Sequence, residues 1–282
     1  MVSRSADGSV LRESVYWPAQ VTGKAVFRQI PELLNSVPPR PRPGATACRL
    51  GGLALLLVAC APVARADGPW NASFGVTSNY ILRGVSQTYG GAAVQLGGGY
   101  QSSLGWFAGA WGSNADPYPS GVSSKELDLY AGYTRALGDD LTARVAYTHY
   151  GYLSDPRPTR YDYNEFALTA TYIDRLALTF SYSPDSTEYS RLGFARHKPT
   201  LGLEANGRWP LTRRIALTGG AGYYDLHRLF GVGYWAGSVG LAYVDRHFEV
   251  DVARYFSDRT VERLYEDGSA DGVVAVSAVV RF

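Results

Sequence analysis

Cysteine is scarce in this chain, and its placement makes it scarcer still. The 282 residues hold two, Cys48 and Cys60, both in the first quarter, so no disulfide can staple anything that follows them. Long apolar runs are missing beyond Cys60. With a mean hydropathy of −0.14, a bundle of membrane-spanning helices, each needing about 20 apolar residues, is excluded. An excess of charge is missing too. The 27 basic and 25 acidic residues leave a net +2, and no nucleic-acid partner is expected. The four histidines, His149, His197, His227 and His247, lie scattered without metal-ligand spacing, so neither a metal nor another cofactor is expected.

Aromatic residues and glycine are what the sequence has in quantity: 21 Tyr, 10 Phe, 6 Trp and 32 Gly. Aromatics suit pleated surfaces, and glycine suits bulges, tight turns and close backbone approach, so the composition points to strands. No helical pattern of useful length competes.

The first 66 residues stand apart. "CRLGGLALLLVACAPVARAD", from Cys48, contains Arg49, an apolar stretch from Leu53 to Ala59 and the small-x-small site Ala64-Arg65-Ala66. That order is a secretory signal peptide over residues 49–66 with cleavage expected after Ala66. "LVAC", Leu57 to Cys60, also fits a lipoprotein box with Cys60 as the lipidated residue. Residues 1–48 show no sustained period, and "VPPRPRPG" at Val37 to Gly44 is proline and arginine. They read as an unstructured extension, consistent with a translation start near Val37 or with a long tolerated basic region. No adjacent arginines precede the apolar run, so no twin-arginine address is present.

From residue 67 to Phe282 the pattern is alternation. Trp70, Ala72, Phe74, Val76, Ser78, Tyr80 and Leu82 share one face, and Asn71, Ser73, Gly75, Thr77, Asn79 and Arg83 the other. Leu127, Leu129, Ala131 and Tyr133 oppose Glu126, Asp128, Tyr130 and Gly132 in the same way. Period two means β-strand. Twelve such segments are expected, near 70–83, 92–101, 106–113, 124–135, 141–152, 163–173, 176–183, 198–209, 215–224, 234–244, 247–256 and 272–282.

The connections sort themselves by length. "SSLG" at Ser102, "LGDD" at Leu137, "DR" at Asp174, "PLTRR" at Pro210 and "DR" at Asp245 are tight. They alternate with "NADPYPSGVS" at Asn114, "SDPRPTRYD" at Ser154, "PDSTEYSRLGFARH" at Pro184 and "SDRTVERLYEDGSAD" at Ser257. A soluble sandwich has no reason to sort its loops this way. A transmembrane barrel does, with short periplasmic turns and long extracellular loops. Tyr100, Tyr133, Tyr172, Trp209 and Tyr243 each precede a tight turn on the apolar face and read as an aromatic girdle at head-group level. Tyr80, Tyr147, Tyr182, Tyr223 and Trp235 would form a second ring near the long loops. The expected fold is therefore all-β: a transmembrane antiparallel up-and-down β-barrel of about twelve strands in the outer membrane. Phe282, closing an amphipathic last strand, resembles the signal read by the barrel assembly machinery.

On this register the inward faces carry Glu126, Asp128, Glu165, Glu204, Glu249 and Asp251 against Arg83, Arg144, Arg208 and Arg281. Charges at membrane depth must face water or one another. One reading is a porin-like channel, whose acid-rich lumen passes small polar solutes or cations passively. Another is an interior salt-bridge network that closes the barrel and leaves its loops to work. In that case Arg191, Arg196, His197 and Lys198 would touch lipopolysaccharide or other outer-membrane lipid. An outer-membrane hydrolase is the third. It needs a serine beside a histidine on one face, but the same-face neighbour of His149 is Gly151. A carboxylate-rich rim of Asp155, Asp162, Asp225 and His227 is the remaining arrangement. No catalytic residue is assigned.

"SNYILRGVSQT", Ser78 to Thr88, carries a further signal. A signal peptide followed closely by this segment, then by glycine-rich strands and a terminal Phe, resembles the Gcw_chp family of proteobacterial outer-membrane barrels, the TorF porins. The specific part is Ser78, Asn79, Tyr80, Arg83, Gly84, Ser86, Gln87 and Thr88. The resemblance implies an outer-membrane barrel of porin type and brings no substrate or catalytic residue with it.

Overall fold

A computed structural model describes residues 69–115, 124–153, 162–189, 195–264 and 272–282. The leader with Cys48 and Cys60, and the loop tips that include Asp155 and Arg191, lie outside the described residues.

In chain order the strands are β1 (Trp70–Thr77), the short β2 (Ile81–Leu82) and β3 (Val85–Ser86), β4 (Ala93–Gln101), β5 (Trp106–Ala115), β6 (Ser124–Ala136) and β7 (Leu141–Leu153). There follow β8 (Tyr163–Tyr172), β9 (Leu176–Tyr189), β10 (Ala195–Pro210), β11 (Ile215–Leu226), β12 (Val232–Val244), β13 (Phe248–Ser257) and β14 (Val273–Arg281). Twelve of them close into one antiparallel barrel in which β1 pairs with both β4 and β14. The seam is finished by the last residue: the Phe282 N–H donates to the Ala72 carbonyl at 2.9 Å, and the Ala72 N–H donates to the Phe282 carbonyl at 3.2 Å.

Closure follows from the solvent. The outer face presents Leu96, Leu129, Val145, Leu168, Phe180, Leu203, Leu241 and Val276 to the surroundings, each about half exposed. An apolar belt of this kind is stable in lipid, where every backbone N–H and C=O must be paired inside the wall. Among the described residues no helix is long and apolar enough to cross a membrane. The strands do the crossing.

Aromatics border the belt at both ends. At the tight-turn end Tyr100 meets Trp70 at 5.0 Å between ring centroids, Tyr133 meets Trp106 at 5.0 Å and Tyr243 stacks on Phe248 at 5.7 Å. Tyr172 and Trp209 are exposed on the same face. At the long-loop end Tyr147 meets Phe166, and Tyr223 meets Trp235.

Three expectations need correction. First, β1 stops at Thr77, and Ser78 to Thr88 is not the continuation of a membrane strand. Tyr80 and Leu82 face neither lipid nor head groups but are buried in the interior with Ala93 and Trp111. Short polar side chains end the strand, because they offer the backbone local partners in place of a ladder. Thr77 Oγ1 donates to the Asn79 carbonyl at 2.8 Å, Ser86 Oγ to Asn79 Oδ1 at 2.6 Å, and the Tyr80 N–H to Thr88 Oγ1 at 3.1 Å. Second, much of the stretch from Pro184 to His197 is wall. β9 runs on to Tyr189 and β10 starts at Ala195, with a register shift between Lys198 and Thr200. Pro199 accounts for the shift, since it has no N–H to give the ladder. Third, two short helices lie at the long-loop end, α1 (His227–Phe230) and α2 (Arg259–Leu264).

Among the described residues, one breaks the pattern at the middle of the apolar belt. Arg254 shares its face with Val252 and Phe256 and is exposed, paired across the ladder with Val239 and Val274. Val239 lies midway along β12 between Trp235 and Tyr243, which puts Arg254 at the middle of the belt. An arginine on the lipid face costs about 2–4 kcal/mol at the midplane and little near the interfaces. Replacing it by leucine should raise the unfolding free energy in phospholipid vesicles by up to about 2–4 kcal/mol. A loss of stability in Arg254→Leu would mean that the guanidinium reaches a stabilising partner.

Candidate functional site: the lumen and its inward hairpin

The segment that leaves β1 returns to β4 through the barrel interior. β2 and β3 pair Ile81 with Ser86 and Leu82 with Val85, leaving Arg83 and Gly84 as a two-residue turn. Both have positive φ, 50° at Arg83 and 79° at Gly84, the signature of a type I′ hairpin. Gly84 is required twice over. A Cβ there would also lie 2.7 Å from the Ala236 Cβ and 3.1 Å from the Ser257 Cβ, so the turn sits hard against β12 and β13.

Arg83 reaches in another direction, to β8, β9 and β10. Its Nη2 donates to Glu165 Oε2 at 2.8 Å and to Ser181 Oγ at 3.1 Å, and its Nε lies 3.4 Å from Glu204 Oε1. The guanidinium stands 4.9 Å from the centre of the Tyr224 ring, and the Tyr234 hydroxyl donates to the Arg83 carbonyl at 3.2 Å. The Arg83 and Glu165 side chains are only 5% and 3% exposed. A buried charge persists only when paired and hydrogen-bonded. Here one arginine holds two carboxylates and ties the hairpin to the opposite wall.

The long-loop half of the lumen is packed around this clamp. Tyr150 stacks on Tyr163 at 4.5 Å and donates to Glu165 Oε1 at 3.3 Å. Glu126 and Asp128 are buried, with the Tyr80 hydroxyl donating to Glu126 Oε1 at 3.5 Å. Val85 packs with Tyr224, Leu226, Leu229, Tyr234, Ala236 and Val261. The tight-turn half is built differently. Arg208 and Arg281 both bind Glu249, and Asp251 accepts from Thr218 Oγ1 at 3.1 Å. Arg144 lies 3.9 Å over the Phe107 ring. Among the described residues the lumen therefore holds Glu126, Asp128, Glu165, Glu204 and Arg83 toward the long loops, and Glu249, Asp251, Arg144, Arg208 and Arg281 toward the tight turns. Sequence periodicity brings nine of these ten to the inward face. It gives the wrong element for the tenth, Arg83, whose direction comes from the hairpin.

Among the described residues, those weighed for hydrolysis do not assemble into a nucleophilic pair. His149 is on the outer face, and a Cβ placed on Gly151 would lie 3.9 Å from its Nε2, so the place a serine would occupy holds no side chain. Asp225 and His227 pair at the rim at 2.7 Å.

Comparison with known proteins adds the following. The model of the Gcw_chp family, described as a bacterial protein of unknown function, matches residues 63–278. Among solved structures the KdgM porin superposes with a TM-score of 0.46 at 12% identity, over 75% of this chain and 98% of that one. The NanC porin gives 0.47 at 10% identity, over 75% and 97%. OprD of Pseudomonas aeruginosa gives 0.36 at 11%, over 76% and 65%. These likenesses concern the fold alone. No curated protein matches the sequence.

Removing Arg83 tests the clamp. Arg83→Met leaves two buried carboxylates without their cation, a change that costs about 3–5 kcal/mol. Denaturant unfolding in vesicles should show that loss, and adding Glu165→Gln and Glu204→Gln should recover part of it. A triple variant no more stable than Arg83→Met would contradict the electrostatic account.

Proposed function

The chain belongs to the Gcw_chp family, and we propose that it serves as a porin-like channel of the outer membrane, passing small polar solutes and favouring cations. One observation carries this reading: a closed wall surrounds charged groups, and the hairpin tied down by Arg83 lies inside its long-loop half. Buried carboxylates are an expensive way to fill a barrel that has no traffic to sort. In a passage with low-dielectric walls they raise the local concentration of cations. The tight-turn half, with Glu249 shared between Arg208 and Arg281, is close to balanced and would pass either sign. Selection then belongs to Glu126, Asp128, Glu165 and Glu204.

A closed barrel that acts through its loops is the second reading, favoured by the packing of Tyr150, Tyr163, Tyr224 and Tyr234 around the hairpin. Hydrolysis is the weakest of the three, since Gly151 supplies no nucleophile to His149.

Planar bilayers distinguish the two leading readings. The wild type should give small unitary conductances with a reversal potential on the cation side across a salt gradient. Arg83→Ser should enlarge the conductance, and Glu126→Gln with Asp128→Asn should lower the cation-to-anion permeability ratio. A wild type closed at all voltages would overturn the channel and leave the closed barrel.

A further inference from the structure

The arginines of the lumen are not all alike. Arg83 binds Glu165 and Glu204, and Arg208 and Arg281 bind Glu249. Arg144 of β7 differs from them: among the described residues it pairs with no carboxylate. Its neighbours explain why. The inward positions on either side of it along β7 are Thr142 and Ala146, and its ladder partners are Thr134 on β6 and Thr169 on β8. Hydroxyls and a methyl group flank the cation, with no acid among them.

The guanidinium is nevertheless held in place. It lies 3.9 Å over the centre of the Phe107 ring. That ring rests against the wall because its ladder partner, Gly132, has no side chain: a Cβ there would stand 2.4 Å from Phe107 Cζ. Gly109 makes the same room for Tyr130, whose hydroxyl would be 2.5 Å from a Cβ at that position. Both rings line the wall instead of crossing the lumen. With one face on an aromatic ring, the guanidinium keeps its N–H donors at its edge, in a fork that matches a pair of oxygens. The space in front is open. Val145 pairs with Tyr133 of the aromatic row, which puts Arg144 near the tight-turn mouth. Arg144, Thr142, Thr169 and Ser238 are partly exposed on the inward face, whereas Tyr150, Ser181 and Tyr234 in the other half are buried.

We propose that Arg144 is a binding site for the carboxylate of a small solute entering through the tight-turn mouth. Charge and shape select the ligand. One guanidinium neutralises one negative charge and takes both oxygens of a planar carboxylate side by side, and the hydroxyls of Thr142 and Thr169 add neutral donors beside it. A dianion such as sulfate would keep one charge unmatched against the low-dielectric wall. As a station on a solute's path the site rests on the channel reading. As a binding site it needs only the open mouth.

The test uses the full barrel in detergent, isotopically labelled at arginine, with each guanidinium followed by its Nε–H signal in NMR spectra. The probes are propionate, its neutral amide propionamide, and sulfate. Propionate should move one signal with half-saturation on the order of 1 mM, as befits one bidentate charge-assisted pair. That signal should be the one missing from Arg144→Gln. Propionamide should leave it in place, and sulfate should need a concentration higher by about tenfold or more. Heat-modifiable migration in gels shows that the variant is folded. An Arg144 signal that propionate does not move, that propionamide moves as far, or that sulfate moves at the lower concentration would each overturn the proposal. The readout needs no current, so a barrel closed in bilayers and a barrel that ignores propionate are separate failures, the first of the channel and the second of this site.

Discussion

Everything in this molecule depends on backbone pairing in a solvent that cannot hydrogen-bond. A strand in lipid has to find partners on both edges, so the sheet closes, and closure fixes which side chains face the bilayer and which face the interior. The twelve-strand wall sits between small barrels filled by side chains and wide ones that hold an aqueous channel. At that size the wall alone does not decide whether the barrel is open. The decision passes to whatever is folded inside it.

Inside it is the hairpin of β2 and β3. Its turn geometry is local, set by positive φ at Arg83 and Gly84, but its position is set by charge. Glu165 and Glu204 stand on the β8 and β10 wall within 2.8 and 3.4 Å of the Arg83 guanidinium, and a buried carboxylate needs such a partner. Arg83 is delivered by a segment that leaves the sheet at Thr77, crosses the interior and rejoins it at Ala93. The same two carboxylates to which the proposed selectivity is assigned thus fasten the hairpin inside the barrel.

Much of this is legible in the sequence. Alternation in β6 and β7 puts Glu126, Asp128 and Arg144 inward without ambiguity, because period two leaves no other choice once one face is apolar. The tight turns, with an aromatic before each, gave the direction of the wall. "SNYILRG" misleads for a physical reason: its alternation is real, but it belongs to a buried hairpin whose two faces are both protein. Periodicity reports two environments and does not say that one of them is lipid. The extended β9 and β10 were hidden by Pro184 and Pro199, which look like loop residues and sit instead in the wall or at its irregularity. The pairing of Asn164 with Asp185 is out of reach of periodicity, since it joins residues 21 apart through the Asp185 carboxylate, which accepts from both the Asn164 side-chain amide and its backbone N–H.

The account stands or falls on the hairpin being inside the barrel. With Cys48 and Cys60 replaced by serine, a single cysteine in place of Val85, which is buried in the hairpin, should resist an impermeant maleimide on intact cells and react only once the barrel is denatured, whereas one in place of the exposed Arg228 should react at once. A Val85→Cys thiol labelled on intact cells as fast as the Arg228→Cys thiol would put the segment outside the lumen and contradict the account.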